Sequence, residues 1–261
     1  MRAARLAWLY FRVGSMNELQ YRANFFIQVL QSAVSVGTAI VVLALVYSHT
    51  TELNGWSESE LLVVMGIQIL LGGVIQTTIQ PNMQRLMEEV RDGKLDFALT
   101  RPEDSQVLVS VREVRIWRAV DVISGAAVLG YGIAGLDRSV SVADALLFVA
   151  MLAIGTVTIY CFWLVIATLA FWIVNVWEIA ELFSGLYQTG RWPVSIYPLW
   201  LRIGVTFIVP IAFAITVPAE AVTSRLDGET VAVAVGFSAA LFAATRWWWA
   251  FGLRRYSGAS A

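Results

Sequence analysis

The chain has 261 residues, 58% of them apolar and only 14% charged, with a formal net charge of −1. Soluble domains run nearer about 45–50% apolar and about 25% charged, so the composition excludes an ordinary water-soluble globule and places most of the surface in lipid. One cysteine, Cys161, and one histidine, His49, exclude a disulfide framework or a structural zinc site within one chain, and nothing in the charge pattern points to nucleic acid.

A membrane-crossing helix needs roughly 20 apolar residues, and the length allows about six of them. Residues 1–20 interleave Arg2, Arg5 and Arg12 with Leu6, Leu9, Tyr10 and Val13 at helical spacing, as in an amphipathic helix lying in the membrane interface. They lack the apolar core of a signal peptide, so the first span is expected to act as an uncleaved insertion signal. That span is expected at about residues 24–46 and the second at 59–80, ended by Pro81 because proline disfavours helix in the residue before it. Residues 81–117 form the longest polar segment, and 85–118 carry seven basic and seven acidic side chains. Within it, 83–90 reads as a short amphipathic helix stopped at Asp92-Gly93, and 105–117 as a second interfacial helix. The third and fourth spans follow at about 120–136 and 142–168.

Two readings compete over residues 170–218. Hydropathy alone puts the fifth span at 200–217. The other reading puts it at 177–194 and folds the region of Pro193, Pro198, Pro210 and Pro218 into re-entrant helices at the outer face. The last span, at about 230–249, ends in Trp247-Trp248-Trp249, an aromatic interface anchor followed by Arg254 and Arg255. Basic residues crowd before the first span, between the second and third, and at the end of the chain, so both termini are expected in the cytosol.

The chemistry of catalysis is missing. Gly93-Lys94 is followed by Leu95, with no phosphate-binding loop around it, so this chain is not expected to hydrolyse ATP. The single histidine lies on an outer loop, which leaves no nucleophilic triad within the membrane. Gln68, Gly72, Gln76 and Gln80 recur every four residues and form one polar stripe, either a packing seam or part of a transport path. Glu178 and Glu181 sit beside Trp177 and are gate candidates if the fifth span is 177–194. Aromatic residues including Trp163, Tyr187 and Trp192 suit an apolar or amphipathic cargo.

Gly93-Lys94-Leu95-Asp96, then Leu99 and Arg101-Pro102, resembles the G-x-L-D-x-x-L-x-R-P pattern of type-2 ATP-binding-cassette exporter permeases. Tyr21-Arg22-Ala23 and the proline-rich run from Gly190 to Pro198 are also similar to that family, in particular its antibiotic and multidrug exporter subgroup. The resemblance implies one all-α permease domain over residues 1–261, with six spans, an N-terminal interfacial helix, a cytosolic coupling helix and re-entrant helices before the last span. It implies that Met83, Leu86, Glu88, Glu89, Arg91, Asp92, Lys94 and Asp96 belong to the coupling region and favours the reading that makes Glu178 and Glu181 a gate. With the stripe and the aromatic residues, the expected path or gate residues are Gln68, Gln76, Gln80, Glu178, Glu181, Tyr187 and Trp192. Implied partners are a cytosolic ATPase carrying ATP and magnesium, a second permease chain, the same or related, and the lipids of a prokaryotic cell membrane; the chain itself binds no cofactor. A nucleotide-independent channel or ion-coupled carrier is the alternative.

Overall fold

The computed structural model describes Arg12, residues 22–173 and residues 175–256; apart from Arg12, the interfacial helix expected over residues 1–20 lies outside the described residues. Among the described residues the fold is all-α. The helices are α1 (Arg22–Tyr47), α2 (Glu58–Val74), α3 (Gln80–Arg91), α4 (Asp96–Leu99), α5 (Ser105–Ser110), α6 (Ala119–Ala134), α7 (Val142–Thr168), α8 (Val176–Tyr187), α9 (Leu199–Ile203), α10 (Ile211–Ala214), α11 (Thr216–Val222) and α12 (Gly228–Leu253). Among the described residues, five runs are single helices long and apolar enough to cross a membrane: Asn24–Tyr47, Glu58–Arg91, Ile116–Ala134, Val142–Phe171 and Gly228–Leu253. The protein is a multi-pass helical membrane protein.

Its loops gather at two ends. One, the acidic end, holds residues 48–57, 135–141 and 223–227; the other, the basic end, holds 92–118, 172–173, 175 and 254–256. Helices α2, α7 and α12 all begin at the acidic end, and each is capped there by a side chain: Ser57 with Glu60, Ser141 with Asp144, and Asp227. Carboxylates at helix N-termini complement the exposed N–H groups and the helix dipole, which gives that end its acidity a structural cause.

The second span does not stop at Pro81. Helix runs unbroken for 34 residues, Glu58–Arg91, through a π-helical turn at Ile75–Ile79. Proline lacks an N–H and its ring crowds the carbonyl four residues back, here that of Thr77. The wide π-turn relieves that crowding, and the Thr77 carbonyl accepts the backbone N–H of Arg115 at 2.9 Å instead. Gln80 therefore keeps helical angles, φ −58° and ψ −47°. The expected separate helix at 83–90 is the end of this one run.

Close approach of α2 and α6 forms the centre. A Cβ added to Gly66 would fall 2.4 Å from the backbone nitrogen of Leu129, and one added to Gly125 would fall 2.2 Å from that of Leu70. Only hydrogen fits at either place. Gly73 and Gly132, seven residues further along each helix, make the same kind of approach, to Val122 and Val63. Without a hydrophobic drive between helices in lipid, such small-residue contacts supply the packing that holds spans together. By contrast α1 is peripheral: only 17% of its most apolar window is buried, so lipid or another chain covers the rest.

The contacts of α8 settle the fifth span. Val176 and Trp177 line a recess with Met87, Val90 and Tyr256 at the basic end. Further along, Asn54 Nδ2 donates to the Ser195 carbonyl at 2.8 Å, and Trp56 Nε1 bonds Ser195 Oγ at 3.0 Å, at the acidic end. Residues 176–196 therefore cross the layer. The apolar stretch that follows, Leu199–Ile208 and Ile211–Val222, is bent by 70°. Arg202 at its start donates to the Ser195 carbonyl at 2.8 Å, while just past its end Arg225 reaches the Gly55 carbonyl at 2.6 Å and pairs with Glu60 at 2.8 Å. Both ends lie at the acidic end, so the stretch is a re-entrant hairpin. It reaches about halfway in, where Ala214 meets Gly155, thirteen residues into α7 and so roughly 20 Å along it.

Candidate functional site

Two regions collect the residues singled out from the sequence: the tip of the basic end, and a cleft between α1, α2 and α8. Asn82 organises the first. Its amide donates to the carbonyls of Thr78 and Glu113, at 2.6 and 2.8 Å, and its oxygen accepts the backbone N–H groups of Arg112 and Glu113, at 2.7 and 2.9 Å. Holding this backbone straps residues 111–115 to α3. It also ends the expected helix over 105–117 early, at Ser110, because those amides are already engaged.

Charge pairing reinforces the strap. Arg112 holds Glu89 through two bonds, of 3.0 and 2.7 Å, and Arg85 bridges Glu89 and Glu113. Met83 and Leu86 are fully buried in the core, so they and Glu89 act from within the framework. Glu88, Arg91, Asp92 and Lys94 are exposed, while Asp96 is half-buried at the start of α4. Gly93, at φ +68°, turns the chain as the Lys94 N–H bonds the Glu89 carbonyl at 2.8 Å. The Lys94 ammonium, with Arg91, holds the Asp92 carboxyl below its usual range. Phe97, missed in the sequence, projects from this tip with 79% of its surface exposed. Arg246 on α12 grips Asp104 at 3.1 and 2.8 Å, joining the tip to the last span.

The cleft lies deeper. Two adjoining cavities, of about 180 and 210 Å³, share Gly72, Gln76, Tyr187 and Gln188. The stripe Gln68, Gly72, Gln76 and Gln80 forms the wall along the continuous run of α2 and α3, Gln31 and Ser35 the wall from α1, and Ser184 and Tyr187 of α8 with Gln188 and Arg191 of the turn that follows it the third wall. Tyr187 pins α8 to the stripe. Its hydroxyl donates to the Gln68 carbonyl at 2.8 Å, and its ring would lie 3.3 Å from a Cβ placed on Gly72. Nearby, Gln28 Nε2 donates to Asp121 at 2.9 Å and Ser32 bonds Ser124 at 2.9 Å, tying α1 to α6. The side-chain amides of Gln31, Gln68, Gln76 and Gln80 bond no protein group among the described residues, so they face the cleft itself. Trp192 stands half-buried beside Arg191, opposite Leu43, Leu61 and Met65. Glu178 and Glu181 occupy the exposed face of α8 with Trp177, Leu182 and Leu186, and Glu181 also borders the cavity at Gln80. The pairing of α1 with the stripe had no signature in the sequence beyond the polar spacing of Gln28, Gln31 and Ser35.

No group of three or more His, Cys, Asp or Glu side chains that could hold a metal occurs among the described residues. Cys161 is buried in α7.

The model of the ABC-2 family transporter proteins matches residues 33–260, from within α1 to beyond α12. No curated protein and no solved structure matches the chain. With the match spanning both the cleft and the tip, and with the spans a transporter's membrane domain requires, the chain belongs to the ABC-2 family of transporter proteins, as a transmembrane permease.

Proposed function

We propose that this permease is half of the membrane domain of an exporter for amphipathic cargo, such as a drug, an antibiotic or a lipid, driven by a separate ATPase subunit that carries ATP and magnesium. The observation behind this reading is the continuity of α2 and α3. One 34-residue helix, roughly 50 Å long, carries the exposed Glu88 and Arg91 at one end and the glutamine stripe further along. A push on the tip moves the wall of the cleft, because the strap at Asn82 and the Glu89–Arg112 pair bind the tip to that helix. The basic end faces the cytosol of a prokaryotic cell, where the ATPase docks on Glu88, Arg91, Asp92, Lys94 and Phe97. A second permease, the same or related, covers the open side of the cleft and the exposed face of α8.

Purification from the native membrane followed by transport in proteoliposomes tests the reading. A co-purifying ATPase and flux that requires ATP are expected. If no ATPase accompanies the chain and an ion gradient alone drives flux, the protein is a nucleotide-independent carrier instead.

A further inference from the structure

One charge in the cleft is left unanswered. Arg191 lies one helical turn beyond Tyr187, where its Nη2 reaches Gln188 Oε1 at only 3.4 Å and its Nε is buried with no hydrogen-bond partner. Among the described residues it makes no ion pair, although it borders both the cleft and an apolar recess formed by Leu43, Leu61 and Met65. Asp121, the carboxylate that shares the cavity, already accepts from Gln28 and faces Arg118 at 3.9 Å. Glu181 on α8, the nearest carboxylate before it in the chain, stands ten residues earlier, roughly 15 Å away along the helix and the turn that extends it. It sits on the exposed face of α8, nearer the basic end.

An ionised guanidinium inside an apolar layer is costly unless an anion and hydrogen-bond acceptors meet it. Its planar fork matches the oxygens of phosphate or carboxylate. Apart from the facing Asp121 and Arg118, the approach to Arg191 is lined by neutral hydrogen-bonding groups, Ser35, Gln68, Gln76 and Gln188, which can replace water around a polar head group without trapping it by charge. Leu43, Leu61 and Met65 are buried beside Arg191 in a recess of only about 10 Å³, too small for a tail, so a molecule bound there would have its acidic head on the guanidinium and its tail outside that recess, toward the exposed apolar face of α1 at Leu30, Val34 and Val41.

We infer that Arg191 is the anion-binding residue of the cleft and that the cargo is an amphiphile with an oxyanion head, phosphate or carboxylate. This inference rests on the permease reading, and it is tested without nucleotide, so that its failure leaves the ATP-driven reading standing.

The full chain carrying Ser35→Cys in a Cys161→Ser background is placed in lipid nanodiscs, and the rate of labelling by a neutral maleimide is followed. The probes are decyl phosphate, decanoate, decyl glucoside and decyltrimethylammonium. Labelling should be ready without a probe, and decyl phosphate or decanoate should slow it about fivefold once in about fourfold excess over its Kd. The acid that protects identifies the head group as phosphate or carboxylate. Arg191→Gln should label at the unprotected rate and lose the protection, while Arg191→Lys, keeping charge without the fork, should retain part of it. An unchanged basal rate in Arg191→Gln shows that the cleft still folds. Equal protection by the glucoside or the ammonium, protection that survives Arg191→Gln, or a cysteine that never labels because the cleft is sealed, would each overturn the inference.

Discussion

The guanidinium of Arg112 and the carboxylate of Glu89 are joined by two hydrogen bonds, 3.0 and 2.7 Å long, with only 7% and 15% of the two side chains exposed. Removing one member of such a pair leaves the other charged and desolvated, at a cost of roughly 3–5 kcal/mol. Glu89→Leu should fall in that range, since Arg85 loses a partner as well. Arg112→Leu should cost less, because Arg85 still answers Glu89. The double variant should cost less than the sum. Thermal unfolding in nanodiscs, analysed as a double-mutant cycle, checks the order; strict additivity would show that the pair does not hold the strap.

Asn82 makes four hydrogen bonds from a nearly fully buried side chain. Asn82→Ala should leave the amides of Arg112 and Glu113 unpaired, at about 1–3 kcal/mol for each buried group that water does not reach. Hydrogen exchange should accelerate at those two amides and remain unchanged in α12. Uniform acceleration would mean that Asn82 supports the whole bundle rather than the strap.

Gly66 and Gly130 offer a contrast within one pair of helices. A Cβ at Gly66 meets backbone atoms of α6, whereas one at Gly130 meets nothing within 4 Å. Gly66→Ala should destabilise by roughly 3 kcal/mol or more, because backbone cannot step aside as a side chain can. Gly130→Ala should be neutral to slightly stabilising. Melting temperatures of the two variants compare them directly.

Much of this architecture was legible in the sequence. The spans at 142–168 and 230–249 emerge within a few residues, because length and hydropathy carry that signal and the caps at Ser141 and Asp227 mark the starts. The failures have tertiary causes. Pro81 breaks a helix by local rules, but the Arg115 N–H takes up the freed carbonyl of Thr77 from 38 residues away. Residues 105–117 have a helical pattern, yet Asn82 captures their backbone. Hydropathy could not separate a span from a hairpin over 199–222, since apolar side chains serve both; the anchors at Ser195 and Arg225 do separate them. In the site, the glutamine spacing showed the stripe, but the burial of Met83 and Leu86 and the isolation of Arg191 depend on neighbours that no spacing reveals.

Arg246 holds the Asp104 carboxyl below its usual range, helped by the Val107 N–H. Since the folded group then titrates below the unfolded value of about 3.9, its contribution is complete above that pH and fades as pH falls through the folded value. Both side chains are nearly half exposed, at 47% and 43%, which limits the pair to about 1 kcal/mol or less. Asp104→Asn should therefore lower the melting temperature equally at neutral pH and about pH 5, and the difference from the parent should shrink only below about pH 4.

At the tip, Phe97→Ala and Glu88→Arg should weaken binding of the proposed ATPase subunit. An aromatic anchor of this kind is worth about 2 kcal/mol, or roughly 30-fold in Kd, when its partner buries it. Both side chains are exposed in this chain alone, so neither change should move the melting temperature of the isolated permease. Titration of the purified subunits reads the affinity, and an unchanged Kd in both variants would place docking elsewhere.

The hairpin over 199–222 enters and leaves by one face, and so it contributes nothing to the parity of crossings. The chain beyond Arg225 continues from the same side as the chain before Leu199. Lengthening or shortening the hairpin would reshape the interior at Gly155 and Gly190, both of which it touches, yet would leave the direction of α12 unchanged. Shape in this half of the protein is thereby uncoupled from orientation, which a true span of the same composition would have inverted.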